Sequence, residues 1–257
     1  MKEVWTVRAG QVPYGEAHAA QKRLESARHA GRIPDLLLLL EHRPVYTKGR
    51  RSAPEELPMG ENWYGMQGIE VTETDRGGRV TYHGPGQLVG YPIVSLRPYG
   101  DDVHDYIRRM ERVIIAGLAD WHVQAELIDG LTGVWTRGAR PGTGISEETG
   151  LPVSEAKKIG SIGVHVNRAI TTHGFAVNVN NDLQPFEWIV PCGIEACRMT
   201  SLSRELGEIQ DLDAFATTIR DRFGEIYGRR PVEVDAGELG ERVFEVGALA
   251  RPPAALR

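Results

Sequence analysis

Arg76-Gly77-Gly78-Arg79-Val80-Thr81-Tyr82-His83-Gly84-Pro85-Gly86-Gln87-Leu88-Val89-Gly90-Tyr91 is too rich in glycine for a regular helix or strand. Residues 79–83 inside it nevertheless read as a short β-segment. Glycine admits positive φ and lets a second backbone or a ligand come close. Set around an Arg, a Tyr and a His, such a run is either two ordinary turns flanking a strand or the wall of a pocket. The rest of the chain has to decide between them.

On either side of the run, 69–73 and 88–94 have strand character. Residues 35–42 hold five consecutive leucines, Leu36 to Leu40, which fits a strand buried on both faces. Residues 4–8 form a further strand. Tyr14, Ala17, Gln21, Leu24 and Ala27 follow at helical spacing, with Pro13 at the tolerated start. Asp101 or Asp102 can cap a helix carrying Val103, Tyr106, Ile107, Met110, Val113, Ile114 and Leu118 on one face. Strands are expected at 125–128 and 133–136. Residues 157–167 and 173–180 then make a hairpin joined around 168–172. Leu212, Phe215, Ile219, Phe223 and Ile226 give a last amphipathic helix. Strands and helices mix without strict βαβ alternation, so the class is α+β: a mixed or antiparallel sheet with packed helices. The division expected is one catalytic domain over 1–228, interrupted by a mobile inserted loop at 139–156, and a C-terminal extension at 229–257, frayed towards its end.

The 257 residues are 41% hydrophobic and carry a net charge of −5, which argues against a nucleic-acid partner held by a basic surface. Two cysteines are too few for a disulfide framework and point to a reducing compartment. The longest apolar run, 36–40, is too short to span a bilayer, and no leader is visible, so a soluble cytoplasmic protein is expected. Neither G-x-x-x-x-G-K-[ST] nor G-x-G-x-x-G is present, and no Ser sits in a G-x-S-x-G elbow.

Cys192 lies between Pro191 and Gly193, a rigid and a permissive neighbour that together can present a thiol beside a substrate carbonyl. It reads as a nucleophile if a cation or base stands near, or else as a small buried apolar residue. Cys197 reads as a packing residue, and no metal site is expected. The cation can come from Lys157 or Lys158. In an unbulged strand Lys158 shares the apolar face of Ile162, Val164 and Val166, and Lys157 takes the polar face of Ser161 and His165. A Lys aimed inward is desolvated and suits acid–base work. His83 stands where it can meet a pocket, whereas His173 shares parity with Phe175 and Val177 and reads as a satisfied core-edge residue. Arg43, Lys48, Arg50 and Arg51 form a basic cluster that is either a solvated loop or a dock for an acidic partner.

The run 76–91, Lys158-Ile159-Gly160-Ser161-Ile162-Gly163-Val164, Thr172-His173-Gly174-Phe175-Ala176-Val177-Asn178 and Pro191-Cys192-Gly193-Ile194 occur in that order. Together they resemble the lipoyl(octanoyl) transferases, over about residues 5–227. The most specific element is Arg-Gly-Gly-x-x-Thr-Tyr-His-Gly-Pro-Gly-Gln. The resemblance implies the fold of the biotin and lipoate protein ligases (class II synthetase-like). It also implies a reaction: octanoyl passes from octanoyl-acyl carrier protein to a lysine ε-amine of a lipoyl domain. Acceptors would be the lipoyl domains of 2-oxoacid dehydrogenases and the glycine cleavage H protein, with no cofactor and a monomeric enzyme. By the same resemblance, Cys192 carries the acyl thioester and Lys158 is its dyad partner. Substrate contacts would come from Arg76, Gly77, Gly78, Arg79, Val80, Thr81, Tyr82 and His83, from Ser161, Ile162 and Gly163, and from Gly174, Phe175 and Ala176. The loop 139–156 and the tail after Tyr227 are longer than the family needs. Ser161 stands where the family often has a smaller residue.

Overall fold

The computed structural model describes residues 2–136, 144–145, 152–153, 156–190 and 198–243. Strand β1 (Lys2–Val12) leads through Pro13 into helix α1 (Tyr14–His29), and β2 (Asp35–His42) follows. Next come β3 (Val45–Lys48), helix α2 (Glu61–Met66), β4 (Glu70–Glu73), β5 (Thr81–His83) and β6 (Gln87–Ile93). Helix α3 (Val103–Asp120) is capped by the Asp102 carboxylate, which accepts from the amides of His104 and Asp105. Strands β7 (Ala125–Ile128) and β8 (Leu131–Thr136) precede the expected loop. Of that loop, β9 (Gly144–Ile145) and β10 (Pro152–Val153) pair antiparallel and the remaining residues of 137–155 lie outside the described residues.

Strands β11 (Lys157–Asn167) and β12 (Ile170–Asn178) make the hairpin, and short helices α4 (Gln184–Glu187) and α5 (Leu202–Leu206) follow. The chain continues through α6 (Leu212–Tyr227), β13 (Arg229–Glu233) and α7 (Ala236–Val243). The described part of the C-terminal segment, 229–243, is thus a sheet strand and a helix. Residues 244–257 lie outside the described residues. The β11–β12 connection is tighter than the expected 168–172: Arg168 and Ala169 alone turn the chain, both at positive φ (47° and 67°). No helix among the described residues is long and apolar enough to cross a membrane.

Eight strands form one mixed sheet in the order β13-β1-β2-β6-β12-β11-β8-β7, parallel at β13-β1-β2 and antiparallel elsewhere. The five leucines of β2 divide between its two faces. Leu37 and Leu39 pack with α3 and α6 in one core, and Leu36, Leu38 and Leu40 pack with α1 in another. Strand alternation sends successive side chains to opposite faces, and helices cover both, so no polar residue interrupts the run. A smaller sheet, β4-β3-β5, covers a third core of Tyr46, Tyr64, Tyr82 and Phe186.

Close backbone packing sets the middle of the large sheet. A Cβ on Gly174 would sit 2.2 Å from the Gly90 carbonyl oxygen and 2.5 Å from Pro92 Cδ. Backbone cannot yield there without parting β6 from β12. Gly174→Ala is therefore expected to cost about 1–3 kcal/mol and to lower the melting temperature by roughly 5 °C. Gly15→Ala, where a Cβ meets nothing within 4 Å, should leave calorimetric stability unchanged or slightly raised.

The parity argument for Lys158 is corrected by a bulge. Lys158 pairs with Trp135 but Gly160 pairs with Val134, so Ile159 is an extra residue in β11. Ile159 and the Gly160 position both look onto the core beneath α3, as do Ile162, Val164 and Val166. Lys158 consequently lies on the other face, with Trp135, Ser161 and Gly163. It is buried there, whereas Lys157 is about half exposed (47%). The expectation of a buried Lys158 beside an exposed Lys157 holds, for a different reason.

Candidate functional site

A cavity of about 370 Å³ opens between the glycine-rich run, the β11–β12 hairpin and the β7–β8 turn. The run is fastened around it by backbone bonds. Gly77 N–H donates to Val164 O (2.9 Å), on a stretch of β11 that β8 no longer covers. Arg50 N–H and Arg51 N–H donate to the carbonyls of Arg76 and Gly78, both at 3.0 Å. A Cβ on Gly163 would come within 3.0 Å of Gly77 O, so β11 and the run cross closely at this point.

Arg76 is nearly buried. Its guanidinium donates to Thr47 O (2.5 Å), Thr47 Oγ1 (2.7 Å) and Gly77 O (3.0 Å), which fixes the start of the run from inside. The buried Glu56 carboxylate accepts from Arg79 Nη1 (2.6 Å) and from Val80 N–H (3.1 Å). A buried carboxylate needs such partners.

Farther along, His83 Nδ1–H donates to Gln87 Oε1 (2.7 Å). The Gln87 amide nitrogen is committed to Tyr82 O and Asn178 Oδ1, which leaves its oxygen as the acceptor. Burial and the neighbouring His42 hold the His83 imidazole well below its ordinary pKa. Its Nε2 is then a neutral acceptor at the cavity wall. His42 Nδ1–H donates to Val12 O (2.8 Å), and its Nε2 accepts from the Tyr91 hydroxyl (2.6 Å). Together with Ile162, Val164, Phe175 and Ala176, the His83 and Tyr91 rings give a wall suited to an uncharged chain, with His42 behind them.

Burial alone brings His42 down to about 4. The unfolded chain takes up that proton near pH 6.5 and the folded one resists it. Stability is therefore lost as pH falls from 6.5 towards 4, by about 3 kcal/mol at most for this group. Urea denaturation at pH 7, 6 and 5 should show the midpoint falling through this window.

Lys158 is held by main-chain bonds that leave its side chain to the cavity. Its N–H donates to Arg198 O (2.8 Å), and its carbonyl accepts from Thr200 N–H (3.0 Å). The ammonium sits 5.4 Å above the Trp135 ring. Its stem lies along Gly133, where a Cβ would be 2.7 Å from Lys158 Cε. The buried Glu111 of α3 accepts from Gly133 N–H (3.1 Å) and so steadies that backbone.

Cys192 lies outside the described residues, as do Pro191, Gly193, Ile194 and Cys197. The described residues flanking that stretch are both anchored near the cavity. Val190 N–H donates to the Glu56 carbonyl (3.1 Å), and Arg198 bonds to Lys158.

Of the other expected contacts, Arg76, Gly77, Gly78, Arg79, Thr81 and His83 line the cavity. So do Ser161, Ile162 and Gly163, and Gly174, Phe175 and Ala176. Val80 and Tyr82 do not: strand alternation turns both into the third core, with Tyr46 and Phe186. Sequence reasoning missed Tyr14, Arg51, Tyr91, Leu131 and His173 as cavity residues. Tyr91 closes the glycine-rich run and His173 directly precedes Gly174, so both could have been found there, but Tyr14, Arg51 and Leu131 are brought in from other elements. His173 is buried and satisfied as expected, yet it stands at φ 57°, which turns it out of the parity of Phe175 and against the cavity.

The sequence matches the lipoyl protein ligase A/B catalytic domain family over residues 13–224. It is 41% identical over 245 residues to an octanoyltransferase of Acidobacterium capsulatum, covering 90% of this chain and 93% of that one. In structure it is similar to the bipartite lipoate protein ligase of Thermoplasma acidophilum, with a TM-score of 0.68 at 16% identity over 95% of this chain and 91% of that one. Biotin protein ligase of Aquifex aeolicus shares the fold at a TM-score of 0.50 and 13% identity, over 89% and 71% of the two chains. The α+β mixed sheet with its packed helices is therefore that of the lipoate and biotin protein ligases. The chain belongs to the lipoyl protein ligase A/B catalytic domain family, among its octanoyltransferases.

Proposed function

We propose that this protein is an acyltransferase of protein lipoylation that moves octanoyl from octanoyl-acyl carrier protein to a lysine ε-amine of a lipoyl domain. Octanoyltransferase relatives that cover most of the chain support the acyl group. The observation that carries the mechanism is the buried Lys158 at the cavity, bonded through its backbone to Arg198, a few residues beyond Cys192.

The Cys192 thiolate attacks the thioester carbonyl. The new C–S bond forms as the bond to the carrier breaks, and the departing carrier thiolate takes a proton from the Lys158 ammonium, which leaves Lys158 neutral. Lys158 as ammonium stabilises the Cys192 thiolate by proximity. In the second half-reaction the acceptor amine attacks the acyl-Cys192 carbonyl, Lys158 in its neutral form takes the amine proton, and the thiolate is released. Thioester exchange is nearly balanced and amide formation runs downhill, so the donor itself supplies the driving force. The octanoyl chain gains about 0.8 kcal/mol for each CH₂ it buries, against the wall formed by Ile162, Val164, Phe175 and Ala176.

Transfer from octanoyl-carrier protein to a lipoyl domain, followed by mass spectrometry without nucleotide, tests this reading. Octanoylated lipoyl domain is expected. Product only when ATP is added would instead indicate adenylate chemistry of the ligase kind.

A further inference from the structure

One cluster near the cavity has no part in the transfer chemistry. Asp75, just before the quoted run, is surrounded by basic groups drawn from three elements. Its Oδ1 lies 2.7 Å from His173 Nε2 on β12 and 3.2 Å from His18 Nε2 on α1. Its Oδ2 is 2.6 Å from Lys22 Nζ and 3.8 Å from His165 Nε2. The three atoms His18 Nε2, Asp75 Oδ1 and His173 Nε2 all lie within 4.8 Å of one another. His173 is buried, whereas His18 and Asp75 keep about a third of their side chains in solvent, so the cluster is both anchored and accessible.

We propose that His18, Asp75 and His173 form a binding site for a divalent transition metal of the Zn²⁺ type. Two imidazoles and one carboxylate suit Zn²⁺ and its neighbours, while Mg²⁺ and Ca²⁺ prefer all-oxygen sets. Ligand atoms about 2.0–2.2 Å from a common ion stand a little over 3 Å apart, a contraction that the partly exposed His18 can supply. Each ring would bind the ion through Nε2 and carry its single proton on Nδ1, the tautomer opposite to the one that donates to Asp75.

Two neighbours are already placed to support this. His173 N–H donates to Gln21 Oε1 (2.6 Å), which holds the residue at its left-handed φ of 57° with its ring towards Asp75. Lys22 can stay on Oδ2 as the partner of the non-ligating oxygen, or turn to Glu25 Oε2 at 4.0 Å. A bound ion would join α1, the start of the glycine-rich run and β12, three parts of one wall. The proposal does not depend on the transfer reaction.

The test is calorimetric titration of the full-length, metal-stripped protein with Zn²⁺, and with Co²⁺ followed by absorption. One equivalent is expected to bind, with nitrogen and oxygen ligand-field bands for Co²⁺ and no thiolate charge-transfer band. His18→Ala and Asp75→Asn should each weaken binding by about tenfold or more, while His104→Ala, exposed on α3, should not. His18 is a partly exposed helix residue, so its variant is expected to keep the native circular dichroism. Binding unchanged in His18→Ala, a thiolate band placing the ion on Cys192 or Cys197, or no saturable binding would each overturn the proposal.

Discussion

Cys192→Ser is expected to abolish octanoyl transfer, with turnover falling by at least about 10³-fold, the loss that follows when a nucleophile is removed and only binding and positioning remain. A serine hydroxyl is not ionised near neutral pH, so the first half-reaction should stop. Octanoyl-carrier protein should still bind, because Ile162, Phe175 and Ala176 line the cavity independently of the thiol. The check pairs a steady-state transfer assay with a binding measurement. Turnover within a few-fold of the native enzyme would remove Cys192 from the mechanism.

Lys158→Met should lower turnover by about 10²–10⁴-fold, the usual range for losing a positioned acid–base group. Lys158 holds Arg198 and Thr200 through backbone bonds, so the substitution leaves that ladder in place. The side chain loses its ammonium above Trp135. A lone thiol ionises near about pH 8.5, so acylation by the variant should recover as pH rises towards 9. Deacylation should not recover in the same way, because it still lacks its base. Stopped-flow measurement of the two half-reactions against pH separates these effects. Equal loss at every pH in the first half-reaction would assign Lys158 a role in shape alone.

How much of this was legible in the sequence varies with how local the signal is. The leucines of β2, the Asp102 cap of α3 and the period of α6 are local patterns, and each element stands where its pattern placed it. Strands β3 and β13 left no such trace. Each is only a few residues long and exists because a distant strand pairs with it. The Arg168-Ala169 turn takes two positive φ values without the Gly or Asn that would announce it.

At the site, the glycine-rich run could be read as a wall because its composition is unusual along the chain itself. The Ile159 bulge could not, since one extra residue in a strand follows from how its partner ends rather than from its own side chains. The same limit hid the cluster around Asp75. His18, Asp75 and His173 are far apart in sequence, and only the packing of α1 against β12 brings them together.

The measurement that bears most directly on the central claim is intact-mass and peptide analysis after mixing the protein with octanoyl-carrier protein, without nucleotide. The account predicts one octanoyl adduct, mapped to the peptide containing Cys192, discharged when a lipoyl domain is added and absent from Cys192→Ser. An adduct on Cys197 with none on Cys192, or no adduct in an enzyme that still transfers octanoyl, would contradict it.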